Sequence, residues 1–327
     1  MGYDHLLDET VETLNWSQKD RIKAVWYDTF IPYPRSTYII SRFDELIERP
    51  RTLRPQNILC PGPAGNGKTA LLQEFENRNP RKKNPAEIAI LLSGIAGNGK
   101  SALLQECEMK YPSQVTRPIE IIPVIRTTAP VGGGEGRLLS AILQQFGYKD
   151  WDTGSIDNKQ KRVLLSLWIC HVRLIIVDDV NNMLHGGKKK SEALYAIRNI
   201  SNYLQIPIVF AGSEEAKVVF RDEPSLTSRL ELLELPLWVE NEDFYKFLWD
   251  LESTLSLKRS SHLYKREKAH IIFELSKSLD PDGRPGILVN ILKIVKTAAV
   301  NAILDGSEYV TIQHLRSAAE SGTWNFS

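Results

Sequence analysis

Apolar residues recur along this chain in two patterns, short continuous runs and stripes spaced three and four residues apart. Continuous runs bounded by turn residues predict buried strands at Ile119–Ile125, Arg173–Val180, Ile206–Ala211 and Leu230–Leu235. Stripes with helical spacing separate these runs and predict helices at Gly136–Phe146, Lys159–His171 and Ser191–Leu204. Strands that alternate with helices in this way predict a parallel sheet with helices on both faces.

Both ends of the chain lack strand signals and are predicted to be helical. Near the start, helical spacing marks Asp20–Asp28 and Ser36–Ile47, and the prolines of Phe30–Arg35 predict an extended turn between them. Near the end, helices are predicted at Glu242–Ser256, Tyr264–Leu279, Pro285–Leu304 and Thr311–Ser321. We therefore expect an N-terminal helical segment (1–55), an α/β core (56–239) and a C-terminal helical lid (240–327).

A tandem repeat dominates the start of the core. The segments Ile58–Pro80 and Ile90–Pro112 align without a gap at a spacing of 32 residues, and 15 of their 23 positions are identical. Each copy predicts a strand, a glycine-rich loop and a helix that begins with Ala-Leu-Leu-Gln-Glu. The chain therefore carries one βα unit twice.

Each copy contains a phosphate-binding loop of the pattern G-x-x-x-x-G-K-[ST]. In this pattern glycines let backbone N–H groups face a polyphosphate, the lysine reaches the terminal phosphates and the hydroxyl binds Mg²⁺. The pattern predicts ATP and Mg²⁺ as cofactors, with Thr69 or Ser101 as the metal-binding hydroxyl. The predicted nucleotide contacts are Gly62, Gly65, Asn66, Gly67, Lys68 and Thr69 in the first loop and Gly94, Gly97, Asn98, Gly99, Lys100 and Ser101 in the second.

We expect the strand that leads into the active phosphate loop to lie beside the strand that carries the magnesium-binding acid. The sheet has one such position, so only one of the two loops can be active. We favour Lys100 and Ser101, because the second copy has the longer strand, Glu87–Ser93, and leads directly into the next strand. The strand of the first copy is short and is stopped by Pro61, which lacks a ladder donor. The first copy remains the alternative, since it follows naturally from the N-terminal helices.

Three polar residues follow two predicted strands of the core. Asp178 and Asp179 close the apolar run Arg173–Val180, where the first carboxylate would hold Mg²⁺ through water and the second would polarise an attacking water. Ser213 follows the next strand and would be a polar sensor between the metal and the γ-phosphate. Each could instead be an ordinary turn residue, but the phosphate loops upstream favour the catalytic interpretation.

Composition limits the partners and the compartment. Lysine and arginine total 41 against 40 acidic residues, so any DNA contact must come from a local basic patch. Three isolated cysteines in apolar runs are typical of a reducing compartment. No stretch has the length of a signal-peptide core or a membrane span, so we expect a cytoplasmic protein that has no membrane partner.

The order of motifs resembles that of the TniB/TnsC-type transposition regulators, which are AAA+ ATPases of bacterial transposons, including CRISPR-associated ones. The resemblance begins at YPRSTYIISRFDELIERPRTLRPQNIL, covers roughly residues 30 to 320, and continues through RTTAPVGGGEGRLLSAILQQFG, LIIVDDVNNML, LQIPIVFAGSEEA, LTSRLELLELPLW and DGRPGILVNILKIVKTAA. It implies an AAA+ P-loop NTPase core with helical segments at both ends.

The resemblance also implies a function. Family members form ATP-dependent rings or helical filaments on double-stranded DNA and link a TniQ-like target selector to a DDE transposase. It implies that Arg229 is an arginine finger for a neighbouring protomer, and Arg284 could sense nucleotide from the lid. The candidate DNA contacts are Arg126, Thr127, Thr128, Arg137, Lys149 and Lys188, the last in a lysine run that the sequence predicts to be a loop.

The chain departs from the family pattern in two ways. It has two phosphate loops where members have one, and Asp179 and Ser213 replace the commoner Glu and the commoner Asn or Thr. Because Asp179 is one methylene shorter than Glu, we expect slow ATP hydrolysis and a persistent ATP state. The alternatives are a helicase loader or replication initiator, a non-hydrolysing nucleotide-gated scaffold, and an inactive product of the duplication.

Overall fold

A computed structural model describes residues 3–84 and 119–322, which form a mixed α/β protein. The strands are β1 (Asn57–Pro61), β2 (Lys82–Asn84), β3 (Ile119–Ile121), β4 (Val124–Thr128), β5 (Leu174–Asp178), β6 (Ile208–Gly212) and β7 (Leu230–Leu232). The α-helices are α1 (Asp8–Thr13), α2 (Gln18–Val25), α3 (Pro34–Glu48), α4 (Lys68–Arg78), α5 (Glu135–Gln144), α6 (Ile156–Ile169), α7 (Lys188–Leu204), α8 (Ala216–Val219), α9 (Pro224–Thr227), α10 (Glu242–Glu252), α11 (Arg266–Ser276), α12 (Leu288–Leu304) and α13 (Ile312–Gly322). Among these helices none is long and apolar enough to cross a membrane.

Five strands form a parallel sheet in the order β4-β5-β6-β1-β7. Every residue of β1, β5 and β6 is buried, as expected for parallel strands covered on both faces. The burial explains why these strands are continuous apolar runs in the sequence. The sheet thus confirms the fold class predicted from the alternation of strands and helices.

The side chain of Asn57 fixes β1 in the middle of this sheet. Its Oδ1 accepts a hydrogen bond from the backbone N–H of Ile208, the first residue of β6, at 2.9 Å. The backbone N–H of Asn57 donates to the carbonyl of Arg229, just before β7, at 2.9 Å. Because Asn57 is 3% exposed, these bonds lie in a buried environment where an unpaired polar group is costly.

The described residues form two compact units by their contacts. One, the helical unit, contains Met1–Arg42, Pro61–Glu74 and Leu233–Ser327, and the other, the sheet unit, contains Phe43–Cys60 and Phe75–Leu232. The segments 1–55, 56–239 and 240–327 that the sequence suggests divide the chain differently, since these units interleave along it.

The helical unit joins the two ends of the chain in one core. Val25 and Ile31 from the N-terminal segment pack with Phe244, Ile294 and other buried residues of α10–α13. A buried arginine adds polar links, because Arg21 donates to the Ser256 carbonyl at 2.7 Å and forms an ion pair with Glu308. The N-terminal helices α1 and α2 are therefore built into the C-terminal bundle.

Three local predictions are wrong. The run Ile119–Ile125 is not one strand, because β3 pairs antiparallel with β2 while β4 joins the main sheet. Pro123 lies at the break, where it has no N–H to continue a ladder. Lys188–Lys190 is not a loop but the first turn of α7, and Pro34 and Arg35 likewise begin α3 instead of extending the turn before it.

Candidate nucleotide-binding site

The first phosphate loop (Gly62–Thr69) lies between β1 and α4, as the repeat predicts. Gly65 has φ +72° and Gly67 has φ +82°, conformations that side-chain-bearing residues rarely adopt. Helix α4 begins at Lys68, so its first turn contributes backbone N–H groups that have no partner within the helix. The loop therefore has the backbone form that a bound polyphosphate requires.

Gly65 and Gly67 of this loop pack closely against the start of α12. The Gly65 carbonyl accepts a hydrogen bond from the N–H of Val289 at 3.0 Å. A Cβ on Gly65 would lie 2.6 Å from Val289 Cγ1, and one on Gly67 would lie 2.8 Å from Leu288 Cδ2. Gly65 is thus required by backbone conformation and by packing at once, whereas Gly67 is required mainly by its conformation, because the Leu288 side-chain tip can move.

Asn66 anchors the middle of the loop. Its side chain is buried, and Nδ2 donates to the carbonyls of Leu235 and Pro236 at 3.1 and 2.6 Å. Its Oδ1 is buried and has no hydrogen-bond partner among the described residues. The Asn66 amide therefore supports the loop backbone. The sequence predicted a nucleotide contact for this residue.

Lys68 places its ammonium group over the loop. Nζ donates to the carbonyls of Gly62 and Pro63, each at 2.7 Å, and the next residue, Thr69, is exposed. A positive charge, a helix N-terminus and a glycine-formed cradle together fit a polyphosphate and its Mg²⁺. The described part of the chain has no group of three His, Cys, Asp or Glu placed to hold a metal alone, so phosphate and water oxygens would complete the shell of a bound Mg²⁺.

The second phosphate loop lies outside the described residues, so Gly94, Gly97, Asn98, Gly99, Lys100 and Ser101 remain predictions. The sheet does include the strand of the first copy, β1, between β6 and β7. We expected the loop-bearing strand to lie directly beside the strand of Asp178, and this is wrong for β1. Strand β6 separates β1 from β5.

Asp178 and Asp179 lie at the carboxyl end of β5, and their environments differ. Asp178 is 7% exposed, and its Oδ1 accepts a hydrogen bond from the N–H of Asp179 at 2.9 Å. Asp179 is exposed and has φ +52°, a left-handed conformation that is uncommon outside glycine and is tolerated best by Asp and Asn. The two carboxylates are therefore held differently, one fixed in the sheet edge and one presented to solvent.

Ser213 follows β6 and is joined to the turn after β5. Its N–H donates to Oδ1 of Asn181 at 2.9 Å, whereas its Oγ is buried without a partner among the described residues. The next residue, Asn182, links the same turn to the end of β4, because its Nδ2 donates to the Ala129 carbonyl at 3.2 Å. Sequence reasoning missed both asparagines, although they follow the aspartate pair in DDVNN. An unpaired buried hydroxyl at this edge fits the role of polar sensor.

Glu76 is a charged residue that sequence reasoning also missed. It forms an ion pair with Arg126 at 2.8 Å, and both side chains are about a quarter exposed, at 26% and 21%. Burial raises the pKa of Glu76, the charges of Arg126 and Arg81 oppose that effect, and the charge of Asp178 reinforces it. Because Arg126 lies in β4 and is paired, the structure does not place it in a DNA-facing loop.

The other candidate DNA contacts lie on separate elements. Thr127 is buried in β4 with its Oγ1 unpartnered among the described residues, whereas Thr128 is exposed at the end of that strand. Arg137 is exposed on α5 and donates to the Val131 carbonyl at 2.7 Å. Lys149 and Lys188 are exposed, the second at the start of α7. The exposed members remain available for phosphate contacts.

Two candidate arginines have partners of different kinds. Arg229 is half-buried, and its Nη1 donates to Oδ1 of Asn202 on α7 at 3.1 Å. Arg284 is 43% exposed and pairs with Asp280 and Asp282, each at 3.2 Å. Burial would raise the pKa of Asp280, but hydrogen bonds and charge from Arg284 hold it below its usual value. Arg284 lies in a turn before α12 and does not open the helix.

Comparison with known proteins gives a family match and a set of similar folds. A profile of the family described as "Bacterial TniB protein" matches residues 21–90 and 86–240. Each matched segment contains one of the two phosphate loops. No curated protein matches the sequence.

Three solved structures resemble the fold. The Orc1 protein of Aeropyrum pernix, solved in complex with DNA, is 17% identical, with a TM-score of 0.56, over 92% of this chain and 69% of that one. Cdc6p of Pyrobaculum aerophilum is 14% identical, with a TM-score of 0.55, over 93% and 72%. Domain III of the Thermotoga maritima replication initiation protein DnaA is 14% identical, with a TM-score of 0.50, over 92% and 95%. These similarities agree with the predicted fold, a parallel sheet with helices on both faces.

Proposed function

This chain belongs to the bacterial TniB family, and from that premise we propose that it is an ATP-dependent regulator of transposition. In this proposal ATP binding assembles protomers into a ring or filament on double-stranded DNA. The assembly links a TniQ-like target selector to a DDE transposase, and hydrolysis dissolves it. The observation that carries the proposal is a complete phosphate loop that follows β1, an interior strand of the parallel sheet, within a chain of this family.

We infer that the first copy is the nucleotide-binding one, although the sequence favoured the second. Two differences between the copies support it. Asn57 accepts a hydrogen bond from Ile208, and the aligned residue of the second copy is Ala89, which has no acceptor in its side chain. Phe75 is fully buried against Phe43. The aligned residue of the second copy is Cys107, whose side chain lacks the phenyl ring and is much smaller.

The energies of these two differences favour the first copy strongly. Losing an acceptor for a buried backbone N–H costs about 1–3 kcal/mol. Truncating a buried phenylalanine costs about 3–5 kcal/mol when the site cannot collapse. A second copy in the β1 position would meet both penalties, and each is large relative to a typical domain stability of about 5–15 kcal/mol.

The remaining chemistry is assigned residue by residue. Lys68 and the loop amides would bind the phosphates, the Thr69 hydroxyl and Asp178 would hold the metal, and Asp179 would orient water. A bound ATP–Mg²⁺ supplies the leaving group and the charge neutralisation for hydrolysis. Ser213 hydrogen-bonds near the reacting phosphate, Arg229 contributes positive charge to a neighbouring protomer's site, and Arg284 responds to nucleotide.

DNA binding in this proposal is directed at phosphates. Arg137, Lys149 and Lys188 are exposed cations that could contact a DNA backbone without reading its sequence. Such binding weakens steeply with salt, because each neutralised phosphate releases counterions. The similarity to an Orc1 protein solved with DNA is compatible with this view, and it also keeps a replication-initiator role as the second candidate.

The test is ATP-dependent assembly on duplex DNA, viewed by negative-stain electron microscopy. We compare wild type with Lys68→Ala and Lys100→Ala, each of which removes one loop ammonium. We expect wild type and Lys100→Ala to form rings or filaments with ATP, and Lys68→Ala to form none. Loss of assembly only in Lys100→Ala would overturn the choice of copy, and no assembly of wild type would overturn the function.

Phosphate release separates the ATPase from a scaffold that binds nucleotide without turnover. We expect a slow ATPase that DNA stimulates and that Asp178→Asn abolishes. Assembly with ATP in the absence of any phosphate release would favour the scaffold.

A further inference from the structure

A cavity of about 160 Å³ at the amino-terminal edge of the main sheet is lined by four arginines. They are Arg49, Arg51, Arg54 and Arg173, and we call this cavity the arginine pocket. It lies where β1, β5 and β6 begin, because Arg54 precedes β1, Arg173 precedes β5 and the lining residue Pro207 precedes β6. The pocket is thus at the opposite edge of the sheet from Asp178 and Ser213.

The positive charge of the pocket is only partly compensated. Arg49 pairs with Glu45 at 3.3 Å, but in the described chain Arg51, Arg54 and Arg173 form no ion pair, and the lining contains no acidic residue. Partial burial lowers the pKa of Arg51, and the positive charge of Arg173 lowers it further. Like charges have therefore been brought together at a cost that an anion would offset.

Backbone carbonyls hold two of these guanidinium groups in place. Arg51 donates to the carbonyls of Leu204 and Val172 at 3.2 and 3.5 Å, and Arg173 donates to those of Ile47 and Arg49 at 2.8 and 3.3 Å. Each guanidinium has five N–H donors, so these contacts leave donors for a ligand. Such fixed side chains lose little freedom when a ligand binds.

From the cavity, the charge and the fixed donors, we propose that the arginine pocket binds a phosphate group. A planar carboxylate is matched by one guanidinium, whereas a tetrahedral phosphate can accept from several arginines at once. The phosphate could belong to a DNA backbone or to a free phosphate compound, and the experiment below distinguishes these sources. The proposal does not depend on ATP hydrolysis, because the pocket shares no residue with the phosphate loops.

The test measures inorganic pyrophosphate binding by titration calorimetry in Lys68→Ala/Lys100→Ala protein, in which both phosphate loops are disabled. Among the described residues Arg54 has no ion-pair partner, so Arg54→Gln removes an uncompensated charge, and Arg173→Gln removes a charge held beside Arg51. The matched control is Arg221→Gln, an exposed arginine of the same unit outside the pocket. Circular dichroism melts check that each variant is folded.

We expect each pocket variant to weaken pyrophosphate binding by about tenfold or more, and the control to change it by less than about twofold. Absence of binding in the loop-disabled protein, or equal affinity in Arg54→Gln and the control, would overturn the proposal.

A second arm identifies the source of the phosphate. This arm measures the affinity of the full chain for duplex DNA at several salt concentrations. If the slope of log binding constant against log salt concentration is smaller by about one in a pocket variant, the phosphate belongs to DNA. An unchanged slope, together with weakened pyrophosphate binding, identifies a free phosphate compound. Both results support a phosphate site.

Discussion

Oδ1 of Asn181 accepts a hydrogen bond from the backbone N–H of Ser213 at 2.9 Å, joining the turn after β5 to the end of β6. The same oxygen would lie 2.7 Å from a Cβ on Gly212, so the two segments are in close contact. This bond fixes the position of Ser213 relative to the turn that begins with Asp179. The edge of the sheet that carries the proposed chemistry is thus positioned by a residue with no direct part in it.

Replacing Asn181 by Ala should lower both the rate of ATP hydrolysis and the stability of the fold. The Ser213 N–H would lose its acceptor, which costs about 1–3 kcal/mol, and Ser213 would shift. A misplaced active-site group costs about ten- to a hundredfold in rate. Steady-state phosphate release and thermal melts measure the two effects. The control is Asn199→Ala, because the half-buried side chain of Asn199 makes no hydrogen bond within the described residues, and this change should alter neither quantity.

Replacing Asp179 by Glu should raise the rate of ATP hydrolysis, because the added methylene extends the carboxylate toward the water that it orients. The left-handed backbone at Asp179 tolerates Asp better than Glu, so stability should fall slightly, by less than about 1 kcal/mol. Single-turnover phosphate release measures the rate. Asp179→Asn keeps the backbone preference without the charge, and it should lower the rate. An unchanged rate in Asp179→Glu contradicts the explanation of slow hydrolysis.

Replacing Gly65 by Ala should destabilise the protein more than the same change at Gly147. Both glycines have left-handed φ, +72° and +73°, but a Cβ meets Val289 Cγ1 at 2.6 Å only at Gly65. The backbone strain common to both is about 1–2 kcal/mol, and the contact adds to it. Denaturant unfolding measures the difference, and nucleotide binding should be lost only in Gly65→Ala. Equal destabilisation would mean that packing at the loop is unimportant.

The Arg21–Glu308 pair should make stability depend on acid pH. Burial would raise the pKa of Glu308, but hydrogen bonding and charge from Arg21, together with Lys258, hold it below its usual value. A depressed carboxyl pKa stabilises the fold above the pKa of the unfolded state, about 4.3, and this stabilisation is lost as pH falls through the folded value. The free energy of unfolding, measured with urea at several pH values between 3 and 7, should therefore fall more strongly with decreasing pH in wild type than in Glu308→Gln.

The control for this pH experiment is Glu274→Gln. Glu274 also has a lowered pKa, through its hydrogen bond to Lys277, but it is exposed on α11. At pH 7 we expect Glu308→Gln to cost about 2 kcal/mol, because a hydrogen-bonded charge is removed beside the buried Arg21. Glu274→Gln should have little effect. Equal losses in the two variants would contradict a special role for the Arg21 pair.

Exchanging two residues should make the two phosphate loops compete. In Asn57→Ala/Phe75→Cys the first copy carries the residues of the second copy at the two positions argued above to favour it, so its advantage in the β1 position should shrink. In that background Lys100→Ala should reduce ATP binding, whereas in wild type it should not. Fluorescent nucleotide titration measures both. If Lys100→Ala has no effect in either background, Asn57 and Phe75 do not select the copy.

Local patterns in the sequence were enough to predict a parallel sheet with helices on both faces and the aspartates at its carboxyl edge. The run Arg173–Val180 predicted β5 because a parallel strand buried on both faces must be apolar, and its aspartates ended the strand as expected. Glycine-rich loops are equally local, since their chemistry is contained in eight residues. Such features depend on neighbours along the chain and therefore appear in the pattern.

Pairings between distant segments could not be predicted. Arg126 appeared to be a free cation because its partner Glu76 lies fifty residues earlier. The lysine run at residues 188–190 looked like a solvated loop, yet Lys190 is buried beside Asp222, at 3.3 Å, within a helical turn. Four arginines from two segments meet in one pocket only because β1 and β5 begin at the same edge. None of these relationships has a local periodicity.

The position of β1 in the sheet has a consequence for the order of folding events. Its neighbours β6 and β7 begin at Ile208 and Leu230, far later in the chain than either copy of the repeat. When the ribosome has released those strands, both copies of the repeat, which share 15 of 23 residues, have already been synthesised. The hydrogen bond between Asn57 and Ile208 can therefore form only late in synthesis, whereas Phe43, the partner of Phe75, is made before either copy. Any preference for the first copy that rests on Asn57 is thus exerted after β6 has been made, through a long-range contact of the slow-forming kind.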